Sequence, residues 1–75
     1  MNRDRRRALA KIIDQAGKLL EDLRAIQEAE EEARDNTPEA LQYTERYEQM
    51  EQAAEILGEA ADTLEDVVSG LEEIA

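Results

Sequence analysis

The chain has no cysteine, no histidine, no tryptophan and no phenylalanine, and it carries one proline, three glycines and two tyrosines in 75 residues. Each gap removes a class of solution. Without cysteine no disulfide staples the fold, and without histidine the usual structural metal sites lose their commonest nitrogen ligand. Neither Ser69 nor Thr37, Thr44 or Thr63 has an imidazole to activate it, and no glycine-rich phosphate loop is present. The sequence therefore implies a non-enzymatic protein with no cofactor and no catalytic or metal-binding residues. Any core must be built from aliphatic side chains and alanine. No apolar run approaches the length of a membrane span, and the basic start (Arg3, Arg5, Arg6, Arg7) leads into an amphipathic segment. A soluble, cytoplasmic protein with no membrane partner is expected.

What the chain has in abundance is acid. The formal net charge is −11, and it is unevenly spread. Residues 1–11 hold five basic groups against Asp4, whereas residues 47–75 hold nine acids and no lysine or arginine. Such a field disfavours direct binding to nucleic acid and favours docking on a basic protein surface.

The apolar residues recur at alternating three- and four-residue steps, the period of an amphipathic helix facing a partner helix. A first helix is expected over about 4–34, a connector over about 35–43 and a second helix over about 44–74. Asp35-Asn36-Thr37-Pro38 is the break, because proline cannot continue a helix and pushes the preceding residue out of the helical region. Both Thr37, with Pro38 behind it, and Thr44, ahead of Glu45, suit the N-cap of the second helix.

A mirror relation links the two halves. Leu9 and Leu71, Ile12 and Val68, Ala16 and Leu64, Leu19 and Ala61, Leu23 and Leu57, Ile26 and Ala54, Glu30 and Met50, and Ala33 and Tyr47 have residue numbers that sum to 80. These pairs predict an all-α fold, an antiparallel two-helix hairpin with a coiled-coil-like seam. A hairpin of this size buries too little surface for comfortable stability alone. Further apolar residues flank the expected seam: Ile13, Gly17 and Leu20 on the first helix, and Ile56, Ala60, Val67 and Ile74 on the second. A face wider than a two-helix seam is the pattern of a bundle. Those seven residues are the expected interface of a homodimer that forms a four-helix bundle.

The charged motifs have plainer and sharper readings. Arg3, Arg5, Arg6 and Arg7 fall opposite Glu65, Asp66, Glu72 and Glu73 in the mirrored hairpin, so mutual neutralisation is expected. The run Glu28, Glu30, Glu31, Glu32, Asp35 reads as a solvated helix face, since helical carboxylates without a glycine turn make poor calcium sites. Tyr43 and Tyr47 are placed to close the bundle end. Glu48, Glu51, Glu55, Glu59, Asp62 and Asp66 recur along one side of the second helix at steps of three or four. They form a candidate acidic partner-binding face, the basis of an alternative reading as a DNA-mimic inhibitor of a nucleic-acid-binding or defence protein.

The series Asn36, Pro38-Glu39, Leu41-Gln42 and Glu45-Arg46-Tyr47-Glu48, behind a basic start and an acidic first helix, resembles short acidic helical proteins of bacterial phages, prophages and mobile elements. That group has no assigned activity. The resemblance implies a mobile-element context and adds weight to the inhibitor reading, but it brings no catalytic residues.

Overall fold

The computed structural model describes residues 1–75 and is helical throughout apart from its ends and turn. Helix α1 spans Arg3–Asp35 and helix α2 spans Glu45–Glu72, joined by a connector that holds one 3-10 turn, Glu39–Leu41. The two helices pack against each other as an antiparallel hairpin 59 Å long and 14 Å across.

Local chemistry accounts for where each helix begins. The Asn2 side chain accepts a hydrogen bond from the Arg5 backbone N–H at 2.8 Å, satisfying one of the donors that a helix start leaves unpaired. At the turn, Pro38 starts the 3-10 segment, whose Leu41 N–H donates to the Pro38 carbonyl at 2.8 Å. Thr44 is the cap of α2: its hydroxyl accepts from the Tyr47 N–H at 3.3 Å and donates to the Leu41 carbonyl at 2.8 Å. Of the two threonines suited to this role, Thr37 instead donates from its hydroxyl to the Ala33 carbonyl at 2.9 Å. Thr37 thus prolongs the path of α1. Replacing Thr44 by Ala is expected to cost about 1 kcal/mol of hairpin stability, read from urea denaturation followed by circular dichroism.

Along α2 the inward row is Tyr47, Met50, Ala54, Leu57, Ala61, Leu64, Val68 and Leu71, all buried or half-buried. This is the row expected from its sequence. Helix α1 differs. Leu9, Ala16, Leu23 and Glu30 face α2 as expected, but the residues between them are Ile13, Leu20, Gln27 and Arg34. The expected Ile12, Leu19, Ile26 and Ala33 are exposed. The helix is rotated so that its inward row includes three polar side chains, Gln27, Glu30 and Arg34, while the apolar row of Ile12, Leu19, Ile26 and Ala33 points away.

Two contacts favour this rotation. Arg24 comes to the side of the seam and reaches Asp62 at 2.9 Å and Glu65 at 2.8 Å. Gln27 packs over Gly58, where even a Cβ would sit 3.1 Å from its amide nitrogen. The axial register also departs from expectation. Arg24 with Asp62, Arg24 with Glu65, Gln27 with Gly58 and Thr37 with Met50 have numbers that sum to 86, 89, 85 and 87, not 80. Because Thr37 extends the course of α1, the crossover falls nearer α2 than the mirror point Ala40.

The resulting core is thin. Only Ala54, Ala61 and Val68 are buried, with Ala61 at 0% exposure, and α1 contributes no fully buried residue. Alanines in the seam allow close helix approach but bring little apolar area with them.

Candidate protein–protein interface

In heptad letters the observed seam places Ile13, Leu20, Gln27 and Arg34 at a and Leu9, Ala16, Leu23 and Glu30 at d. On α2, Tyr47, Ala54, Ala61 and Val68 are a, and Met50, Leu57, Leu64 and Leu71 are d. With about 3.6 residues per turn, positions e and b lie to one side of the seam, g and c to the other, and f at the back. In an antiparallel pair the e rows of both helices share one flank and the g rows share the other. Contacts confirm both flanks. Arg24 (e) bridges to Glu65 (e) and Asp62 (b), while Ala33, Arg46 and Ala53, all g, line one shallow groove together.

Charge and apolar surface are sorted between these flanks. All but three of the twenty acids, the exceptions being Asp22, Glu30 and Glu39, occupy b, e or f. Among the g and c positions of both helices Asp22 is the sole acid, and Arg5 and Arg46 are the sole bases. That flank instead carries Ile12, Leu19, Ile26 and Ala33 from α1, and Ala53, Ile56, Ala60 and Val67 from α2, with Ile74 in the turn just past its end. Ile12, Leu19, Ile26, Ile56, Val67 and Ile74 are each about half exposed or more, with Leu19 and Ile56 at 62%. Scattered exposed aliphatics are ordinary on a small protein, and here the large ones of both helices fall on one flank.

The seven residues expected at an interface therefore part company. Ile56, Ala60, Val67 and Ile74 lie exposed on the apolar flank. Ile13 and Leu20 turn into the hairpin seam, and Gly17 sits on the opposite flank at e, with nothing within 4 Å of where its Cβ would be. Ile12, Leu19 and Ile26 take their place on α1. The signal for that exchange was present: α1 has apolar residues in three adjacent rows, and a helix hairpin can cover only part of them.

The acidic flank is built on α2. Glu48, Glu51, Glu55, Glu59, Asp62 and Asp66 are all exposed at b, e or f, and Glu51, Glu55, Glu59 and Asp62 line a groove with Gln27 and Arg34. Arg24 is the one cation reaching across to these carboxylates. Its hydrogen bond to Asp62, with a second to Glu65, holds its guanidinium above the usual arginine value. Desolvation, followed by hydrogen bonding to Glu51, raises the Tyr47 phenol above the usual tyrosine value. No three carboxylates converge as a metal site would require.

The basic cluster behaves unexpectedly. Arg3, Arg5, Arg6 and Arg7 make no ion pair within the hairpin, whose four pairs are Asp14–Lys18, Arg24–Asp62, Arg24–Glu65 and Arg34–Asp35. Arg6 donates from Nε to the Met1 carbonyl at 3.2 Å. The expected neutralisation by Glu65, Asp66, Glu72 and Glu73 is thus not realised. Glu65 is taken by Arg24, and α2 ends at Glu72, so the acidic tail does not run beside the arginines in the mirrored register.

Comparison of the chain with protein-family models, curated proteins and solved structures gives no match. No helix is long and apolar enough to cross a membrane.

Proposed function

We propose that this chain is a non-enzymatic protein–protein interaction module that self-associates through its apolar flank into a four-helix bundle. The observation that carries the reading is the segregation of surface: an apolar row with almost no acid on one flank, and nearly all the acid elsewhere. The apolar flank carries Ile12, Leu19 and Ile26 from one helix beside Ile56, Val67 and Ile74 from the other end of the chain, all about half exposed or more. Covering it also supplies the apolar burial that three buried residues cannot provide.

In such a bundle the acidic b, e and f positions remain outside, available to a basic protein surface in the cytoplasm. Association by mass action makes the fold depend on concentration. Light scattering of the wild-type chain is expected to give twice 8.5 kDa at high concentration, with a midpoint of thermal unfolding that falls on dilution. A mass of one chain and a midpoint independent of concentration would sink the proposal.

A second reading rests on the six exposed carboxylates of α2 and the groove that four of them line. They suit an acidic inhibitor that occupies the basic cleft of a host nucleic-acid-binding or defence protein, a role in keeping with the mobile-element resemblance of residues 34–48. Capture from a host lysate separates the readings. An inhibitor retains a nucleic-acid-binding protein at low salt and releases it as salt rises, competing with DNA. Capture that is insensitive to both salt and DNA counts against it.

A further inference from the structure

We propose that α1 has two seats on α2, related by a turn of about 50° about its own axis, and that Arg24 is the latch holding it in the seat that presents the apolar flank. Only the consequence for association rests on the self-association proposed above. In both seats Leu9, Ala16, Leu23 and Glu30 face inward, and the row beside them changes. The observed seat brings in Ile13, Leu20, Gln27 and Arg34, whereas the second brings in Ile12, Leu19, Ile26 and Ala33. Toward the open end the exchange is even, Ile12 for Ile13 and Leu19 for Leu20. Toward the turn it favours the second seat, because Ile26, 54% exposed in the structure, replaces the Gln27 amide and Ala33 replaces the Arg34 guanidinium.

Two contacts hold the observed seat. Arg24 reaches Asp62 at 2.9 Å and Glu65 at 2.8 Å, and Gln27 lies over Gly58. Turning α1 so that Ile12 and Leu19 enter the seam carries Arg24, at e, away from α2 and lifts Gln27 off Gly58, so both contacts belong to one seat alone. The bridges are partly solvated, the Arg24 side chain being 36% exposed and its two partners 72% and 59%. Pairs of that kind shift an equilibrium by about twofold to fivefold each, about tenfold together. Such a latch holds the helix without locking it. The seats differ most at the surface. In the second, the c row with Gln15 and Asp22 takes the place of Ile12, Leu19 and Ile26 on the apolar flank, which removes the α1 half of that surface and sets an acid in it. A second copy therefore selects the observed seat. Arg24, on the opposite flank, controls an interface that it does not touch.

The chain has no cysteine, so one introduced thiol reports one position. Leu20→Cys and Leu23→Cys, each with and without Arg24→Met, are labelled with a maleimide at a dilution where the chain is monomeric. Position 20 leaves the seam in the second seat, whereas position 23 stays inward in both and is uncovered only by unfolding. With the second seat at the upper end of an ordinary minor state, about one chain in ten, a tenfold weaker latch raises it to about one in two. Arg24→Met is thus expected to speed labelling at position 20 about fivefold and to leave position 23 unchanged. Salt at about 0.5 M acts in the same direction on the chain that keeps Arg24 and adds nothing to Arg24→Met. Equal acceleration at both positions, or none at position 20, overturns the two seats. Sedimentation of the cysteine-free Arg24→Met chain reads the coupling. Because both copies must occupy the observed seat, dimerisation weakens about threefold, and an unchanged affinity overturns the control by Arg24. A wild-type chain that is monomeric at every concentration overturns self-association, and the labelling then decides the two seats by itself.

Discussion

Changing Ala61 to Asp is expected to abolish the cooperative unfolding transition of this protein and leave a chain with little helix at 25 °C. Ala61 has no exposed surface and stands in the middle of the α2 seam. An aspartate there is too short to carry its carboxylate to water, unlike a lysine or arginine, whose stem can reach the surface. No free cation is at hand: Arg24 is nearest along the seam and is already shared between Asp62 and Glu65. Asp62 and Glu65 themselves, one and four residues on, add like charge on the same turns. An uncompensated buried charge costs about 3–5 kcal/mol. A small scaffold without staples holds about that much in total. The matched control is Ala25→Asp, at an exposed f position of α1, where only helix propensity changes and the loss is about 0.5 kcal/mol. Urea denaturation followed at 222 nm reads both. A cooperative Ala61→Asp transition within about 0.5 kcal/mol of wild type, the range of a usual surface substitution, would show that Ala61 is not the centre of the packing.

The fold class was legible in the sequence because period, break and caps all pointed one way. Helix α2 was legible in detail. Its a and d residues are bounded by acid on one side, where e and b positions are filled by Glu51, Glu55, Asp62 and Glu65, although Ile56, Ala60 and Val67 adjoin the row on the other side. Helix α1 gave no such contrast. Ile12 and Ile13, and Leu19 and Leu20, are adjacent pairs of nearly equal hydrophobicity, so apolar periodicity alone does not say which member turns inward. Choosing the all-apolar row through Ile26 maximised burial within the hairpin. The structure instead packs Gln27 and Arg34 inward, held by the space over Gly58 and by the Arg24 bridges to α2. Those are contacts between side chains more than thirty residues apart, and helical periodicity does not contain them. The same one-residue ambiguity moved half of the candidate interface. Ile56, Ala60, Val67 and Ile74 keep their place, while Ile12, Leu19 and Ile26 replace Ile13, Gly17 and Leu20.

The adjacent leucines of α1 give the second large effect. Leu20 is half-buried at an a position, and Leu20→Glu is expected to remove about 3 kcal/mol from the hairpin by losing a seam side chain and admitting a charge. Leu19 is 62% exposed, so Leu19→Glu changes the isolated hairpin by no more than about 0.5 kcal/mol. Its effect falls on association. A glutamate there adds a second acid beside Asp22, the one acid already on this flank, in both copies, and weakens dimerisation by about tenfold or more. Neighbouring residues thus separate the two surfaces that the sequence blends.

Sedimentation equilibrium of the wild type, Leu19→Glu and Leu20→Glu, with circular dichroism on the same samples, tests the central claim most directly. Trimethylamine N-oxide is included so that a lone hairpin stays compact. The expected result is a wild-type dimer, a helical Leu19→Glu monomer of 8.5 kDa, and a Leu20→Glu chain that has lost most of its helix. A monomeric wild type, or a Leu19→Glu variant that keeps the dimer mass, would contradict the assignment of this flank as the surface where two copies meet.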